Sequence, residues 1–240
     1  MLITGASGGL GNELVKSYIA NGDEVFACFR VLDGREERLK EGLSIEENQR
    51  LHIQKLDLED NDEIDSTIKT LIEANQSIDI LINNGGTTAS SSFLLTKYSE
   101  LERVFRINLF GPARLSQIVG RQMAKQNGGS IIFISSILAF EAHEGTSIYS
   151  MTKAAGNQLV KVMAQELSRF RIRVNAVAPG LINTKMLEKN GLLLREKLVE
   201  LSAQRRIAEV DEIAKVVLFL TSDEASHING QVLRVDGGRP

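Results

Sequence analysis

Tyr149 and Lys153 stand four residues apart within Ser147–Phe170, a stretch with helical patterning. That spacing is about one helical turn, so the two side chains share a face. An ammonium held so close favours a phenolate and is expected to lower the tyrosine's pKa from its usual value of about 10. A tyrosine tuned in this way can give or take a proton at working pH. Ser136 closes an apolar run upstream, where its hydroxyl is placed to bond a substrate carbonyl. Each feature alone has a plainer explanation: Tyr-x-x-x-Lys is common on helix surfaces, and a serine at a strand end usually caps a turn.

A second kind of chemistry is written into Thr4-Gly5-Ala6-Ser7-Gly8-Gly9-Leu10-Gly11. Its glycines permit a tight turn and let backbone N–H groups approach a pyrophosphate at a helix N-terminus. A tight turn without a ligand would also use glycines. The position, after a first strand and before a first helix, favours a dinucleotide. Proteins that take NAD place an acid about 20 residues further on, for the ribose 2′-OH. Here Phe29 is followed by Arg30, and the nearest acid, Asp33, lies further into the loop. An arginine fork suits a 2′-phosphate and gains nothing from a hydroxyl. NADP(H) is therefore expected in preference to NAD(H), with a merely solvated Arg30 as the alternative.

The elements that must carry these residues alternate from end to end. Apolar runs at Met1–Thr4, Glu24–Phe29, Leu51–Leu56, Ile78–Asn83, Ser130–Ser135, Ile172–Val177 and Gln231–Val235 read as strands. Helical patterns occupy Gly11–Ala20, Asn61–Ala74, Ser99–Lys125, Ser147–Phe170 and Val210–Leu220. Such alternation implies right-handed βαβ crossovers and a parallel sheet covered on both faces. No repeat or linker divides the chain, so residues 1–240 are expected to form one α/β domain. Three residues before Thr4 are few for a central strand, so either the start is trimmed or that strand is misassigned.

Taken together and in order, these motifs resemble the short-chain dehydrogenase/reductase family over nearly the whole chain. Thr-Gly-x-x-x-Gly-x-Gly looks like its cofactor loop, and Asp57-Leu58 resembles the pair beside the adenine. Asn83-Asn84-Gly85-Gly86 is similar to the family's Asn-Asn-Ala-Gly, with Gly85 a mild departure. Asn108, Ser136, Tyr149 and Lys153 resemble its catalytic four, and Pro179-Gly180, Ile182 and Thr184 its nicotinamide-side loop. Val235-Asp236-Gly237-Gly238 resembles the usual ending of the last strand. The resemblance implies a single-domain Rossmann fold with a doubly wound, seven-stranded parallel sheet. It implies cofactor contacts from Gly5, Ser7, Gly9, Leu10, Gly11, Arg30, Asp57, Leu58, Asn84, Gly85, Tyr149, Lys153, Pro179, Gly180, Ile182 and Thr184. It further implies that Tyr149 protonates the carbonyl oxygen and Ser136 orients the substrate. Lys153 would bind the nicotinamide ribose, and Asn108 would hold a water that relays protons to it.

Within the family, the 3-oxoacyl-acyl-carrier-protein reductases are the nearest likeness, especially from Arg205 to Gly238. Those enzymes dock an acidic carrier on basic residues, and the corresponding positions here are Asn127 and Phe170. Neither is basic, which argues against a carrier-protein substrate, although Arg169, Arg171 and Arg173 flank the second. A nucleotide-sugar or another small ketone is the alternative substrate. The segment Asn183–Gln204 should cover it, and its Met186, Leu187 and Leu192-Leu193-Leu194 suggest either an apolar site or a helix's core face. A catalytically idle NADP-binding sensor or interaction module is the reading from another class; intact Ser136, Tyr149 and Lys153 speak against it. Ala154-Ala155-Gly156 would admit close packing, either within one chain or against another. The family's habit of pairing this helix implies a homotetramer, with Leu159, Val160 and Met163 facing the mate.

Composition agrees with such an enzyme and excludes several others. The chain has 240 residues, 42% of them apolar, a net charge of −3 and a single cysteine, Cys28. That is enough for a full core without disulfides, and it suits a reducing compartment. Mixed charge argues against nucleic acid as the partner. No apolar stretch is long enough for a membrane span, and the first residues lack a signal peptide's regions, so a cytoplasmic protein is expected. His52, His143 and His227 are scattered singly, so no metal site is expected. The charged run Arg35–Lys40 reads as a solvated helix face.

Overall fold

The structure is a computed structural model that describes residues 1–74, 77–184 and 199–239. Met186, Leu187, Leu192, Leu193 and Leu194, and with them most of the expected covering segment, lie outside the described residues.

All seven expected strands form, within a residue or two of their expected bounds: β1 (Leu2–Thr4), β2 (Val25–Phe29), β3 (Leu51–Lys55), β4 (Ile80–Asn83), β5 (Gly129–Ile134), β6 (Ile172–Pro179) and β7 (Val232–Val235). They make one parallel sheet in the order β3-β2-β1-β4-β5-β6-β7. The sheet is built outward from β1, so the order reverses between β1 and β4. Brändén's rule puts ligands in the crevice at that reversal, outside the carboxyl ends of the strands. Short as it is, β1 is central and fully buried.

Alternation along the strands creates two apolar layers, one on each face. Leu2, Phe26, Cys28, Ile131, Phe133, Val174 and Ala176 point to one side. There they meet α4 (Asn61–Glu73), α6 (Gly111–Gln126) and α7 (Ser147–Leu167). Ile3, Val25, Ala27, Phe29, Ile132 and Val177 point to the other, against α1 (Gly9–Ala20) and α8 (Val210–Thr221). This is the period-2 pattern of a sheet buried on both faces.

Several local expectations are corrected. The long pattern Ser99–Lys125 is α5 (Tyr98–Phe105), a π segment (Arg106–Phe110) and then α6. Two short helices lie between β2 and β3: α2 (Glu37–Lys40) and α3 (Ile45–Gln49). The α2 helix is a solvated face except for Leu39, which is fully buried. A capping box, with Ser44 and Glu47 bonding each other's backbone N–H, starts α3. Of the α7 residues expected to face another chain, Val160 is buried in this chain's own core, and Leu159 and Met163 pack against it. The large apolar residues of α7 that face outward are Met151 and Val162, and Ala154 is exposed as well. Gly156 is not the site of a close intramolecular approach either, because nothing lies within 4 Å of where its Cβ would be.

Candidate active site

The candidate residues gather at the carboxyl end of the sheet. Thr4 ends β1, and its hydroxyl laces β1 to β4. It donates to Ile82 O (3.3 Å) and accepts from the N–H groups of Asn84 (3.1 Å) and Gly85 (2.8 Å). The Asn84 amide returns the contact, donating to Thr4 O (2.9 Å) and Gly5 O (3.1 Å). These bonds hold the glycine turn directly above the reversal point.

The turn itself fits a phosphate-bearing group. Gly5 has φ +68°, a conformation that favours glycine, and a Cβ on Gly11 would lie 2.2 Å from Gly5 O. No side chain caps α1, whose first residues follow Gly8. Its leading N–H groups therefore remain for an anion, and the helix dipole adds to their pull. Ser7 and Gly9 are exposed there, and Leu10 is buried beneath them. Thr184 closes over this turn, its Cγ2 being 3.1 Å from where a Gly9 Cβ would stand.

Arg30 is exposed just past the end of β2. Asp57 follows β3 and accepts from the Glu59 N–H (2.9 Å), while Leu58 is buried. Gly85 sits against Leu58: an added Cβ would be 2.7 Å from Leu58 Cδ1. Alanine at this position would need little more than a shift of the end of the Leu58 side chain. Pro179 ends β6, and Gly180 donates to Val235 O (2.9 Å), while Ile182 bridges to Ala208.

On the β5 side, Ser136 is extended and caps a 3-10 turn (Ile137–Ala139), its Oγ accepting from the Leu138 N–H (3.2 Å). Tyr149 lies in the first turn of α7, with its phenol near enough to Ser136 for that side chain to lower its pKa. Lys153 lies one turn on, with Nζ 5.5 Å from the Tyr149 ring centroid and donating to Ile134 O (2.7 Å). Asn108 is buried in the π segment, and its amide is committed. It donates to Thr87 O (2.8 Å) and Thr152 Oγ1 (3.2 Å) and accepts from the Thr87 N–H (2.8 Å). Gly86 touches both partners: its Cβ would be 3.3 Å from Asn108 Oδ1 and 3.8 Å from Lys153 Nζ. A cavity of about 10 Å³ is lined by Asn83, Asn108, Ser135, Lys153, Gly156 and Asn157, among others. That is roughly the space one water needs.

The electrostatics differ from the spacing argument. Burial pushes the Tyr149 phenol up to about 12, and the nearby Ser136 side chain only partly opposes it. Burial also pushes the Lys153 ammonium down to about 8. The same dry environment disfavours the charged form of both groups, and it outweighs the expected pull of the ammonium on the phenol. At neutral pH the phenol is therefore protonated, as a proton donor must be.

Among the described residues no group of His, Cys, Asp and Glu is arranged to hold a metal ion, and no helix is long and apolar enough to cross a membrane. A family model described as enoyl-(acyl carrier protein) reductase matches residues 5–239. The 3-oxoacyl-[acyl-carrier-protein] reductase of Thermotoga maritima is 33% identical over 237 residues, 99% of this chain and 96% of the relative. A solved structure described as a short chain dehydrogenase/reductase family protein superposes with a TM-score of 0.87 at 31% identity, covering 99% of this chain and 95% of that one. The structure of ElxO with NADP bound superposes with a TM-score of 0.90 at 27% identity, covering 98% and 96%.

The lowered Lys153 pKa has a measurable consequence. The unfolded chain, with an ordinary lysine at 10.5, binds more protons than the folded chain between about pH 8 and 10.5, so this lysine makes stability rise with pH across that window. Urea unfolding should show the wild type gaining up to about 3 kcal/mol there relative to Lys153→Met. Parallel stability profiles for the two proteins would contradict the buried, depressed lysine.

Proposed function

The chain belongs to the short-chain dehydrogenase/reductase family, and from that premise we propose that it is an NADPH-dependent ketoreductase. Its substrate would be a 3-oxoacyl thioester or a similar ketone. The observation that carries this reading is the buried Lys153 ammonium 5.5 Å from the Tyr149 ring, with Ser136 close to the phenol and an uncapped helix after the glycine turn.

A nicotinamide cofactor bound over the glycine turn supplies the hydride. The residues proposed to hold it are Gly5, Ser7, Gly9, Leu10, Gly11, Arg30, Asp57, Leu58, Asn84, Gly85, Tyr149, Lys153, Pro179, Gly180, Ile182 and Thr184. Ser136 bonds the substrate carbonyl oxygen, and Tyr149 delivers its proton to that same oxygen. Lys153 supports the phenol's loss of a proton and returns one to it. Asn108, its amide already committed to Thr87 and Thr152, holds the π segment beside the cavity where a relaying water fits.

A carrier-protein substrate gains little support from the local arginines. Arg173 is spent on the carbonyls of Leu220, Thr221 and Ser222 at the end of α8, and Arg169 lies over the Phe170 ring. Arg171 and Arg169 remain exposed. The proposed substrate is therefore a small ketone or short thioester, with a keto-sugar as the alternative. A homotetramer is the assembly in keeping with the family resemblance. Exposed Phe93, Leu94, Leu95 and Tyr98, together with Met151 and Val162 of α7, support burial against other copies. A monomer by light scattering at micromolar concentration would end that proposal.

Two variants test the enzyme reading. Tyr149→Phe should lower kcat for a β-ketoacyl thioester by at least roughly 10²–10⁴ while leaving NADPH affinity nearly unchanged. Near-wild-type turnover would remove Tyr149 from the chemistry. Arg30→Ala should weaken NADPH alone, erasing a preference over NADH of roughly ten- to more than a hundredfold, as befits a charge-assisted phosphate contact. A wild type that already binds NADH more tightly would overturn the cofactor assignment.

A further inference from the structure

Arg239, just beyond β7, has a side chain only 2% exposed, yet it carries a full charge. It grips Glu141 in a fork, with Nε to Oε1 at 3.2 Å and Nη2 to Oε2 at 2.9 Å. The two residues are far apart in sequence. Glu141 belongs to the loop that begins at Ser136 and ends at α7, where Tyr149 sits.

Glu141 is tied to both ends of that loop. Its N–H closes on Ile137 O (3.1 Å), and Phe140 N–H on the same oxygen (2.8 Å), completing the 3-10 turn that Ser136 caps. On the other side, Glu141 Oε2 meets His143 Nε2 (3.0 Å). His143 O in turn accepts from the Thr146 hydroxyl (2.7 Å) and N–H (3.3 Å), immediately before α7 begins. One residue, through its backbone N–H and its carboxylate, therefore connects the turn of the substrate-orienting serine with the loop that leads to the tyrosine's helix.

The grip on Arg239 is itself braced. Arg234 donates to Arg239 O (2.8 Å) and to Asp236 Oδ2 (2.7 Å), and it reaches Glu141 Oε1 at 3.7 Å. Asp236 Oδ1 accepts from the N–H groups of Gly238 (3.0 Å) and Arg239 (3.3 Å). Gly237 (φ +69°) and Gly238 (φ +79°) make this turn possible, and Ser202 Oγ donates to Gly237 O (3.0 Å) behind it.

A buried ion pair is a poor way to gain stability alone, since apolar residues of the same volume often do as well. A forked guanidinium–carboxylate contact adds orientation. We propose that the Arg239–Glu141 pair is a clamp that sets the position of Ser136 relative to Tyr149. Glu141 and Arg239 are then positioning residues for the proton transfer and make no contact with substrate. Misplacement of reacting groups by about 1 Å costs on the order of 10²-fold in rate, so a loosened clamp is felt in kcat.

This inference rests on the ketoreductase reading, and its test separates the two. The enzyme is assayed with NADPH and ethyl acetoacetate as Arg239→Met, Arg239→Lys and Glu141→Gln, each also in a Tyr149→Phe background. Arg239→Met and Glu141→Gln should lower kcat roughly tenfold or more, with the NADPH dissociation constant within about twofold of wild type. Arg239→Lys should recover much of the loss. In the Tyr149→Phe background the same changes should have little further effect, because they act through the tyrosine. Hydrogen exchange at the amides of Leu138, Ala139, Phe140 and Glu141 should quicken in Arg239→Met, while that of Gly8–Asn12 stays unchanged. If Arg239→Met does not fold, Glu141→Gln, which keeps the side chain's shape, carries the test. An unaltered kcat with slow exchange retained, or equal losses in both backgrounds, would overturn the clamp. A wild type that turns over no ketone, with exchange shifting as stated, would overturn the reductase reading and leave the clamp standing.

Discussion

Everything proposed for this protein depends on how the sheet is joined at its middle. The chain leaves β1 and β4 toward opposite faces of the sheet, which opens a crevice above these two directly paired strands. One hydroxyl and one amide lace their ends together. Thr4 Oγ1 serves a carbonyl and two N–H groups, and the Asn84 side chain serves two carbonyls in return. The crevice stays open above a rigid floor, and the glycine turn is fixed relative to β4. A Cβ at Gly5 would intrude on the Gly85 backbone and one at Gly11 on the Gly5 carbonyl, so the close approach there depends on missing side chains.

A second constraint acts on the other side of the crevice. Lys153, Asn108, Ser135, Thr152 and Asn157 are polar residues buried near the end of β5; Asn108 bonds Thr152, Ser135 bonds Asn157, and Lys153 donates to Ile134 O. Burial makes charge expensive there, holding the phenol protonated and pulling the lysine towards neutrality. A fold that placed the pair on a solvated helix surface would have the same spacing and none of this effect. The chemistry therefore follows from where α7 begins, which the loop from Ser136 to Thr146 decides.

What was legible in the chain were the features set by local pattern. Seven apolar runs became seven strands, because period-2 burial on both faces leaves little freedom. The glycine turn and the Tyr149–Lys153 pair were visible because their geometry is nearly local. The π segment was not, since Arg106–Phe110 contains no glycine or proline to mark it; its buried Asn108 bonds to Thr87, in a distant part of the chain. The α3 helix carries one local mark, the Ser44–Glu47 capping box, and no apolar stripe, since none of its residues is buried. Val160 was assigned to an interface because helical spacing shows which residues share a face without showing what that face meets. Spacing likewise revealed a neighbour for Tyr149 while hiding the burial that governs its pKa.

The account's central claim is that this crevice moves a hydride onto a keto carbon while Tyr149 supplies the proton. Mass analysis of the alcohol formed from a 3-oxo thioester and NADPH deuterated at the transferable position of carbon 4 tests it most directly. In ordinary water, one deuterium should appear on the carbon that bore the ketone and nowhere else in the alcohol. An unlabelled alcohol, or no alcohol from any ketone offered, would contradict the account.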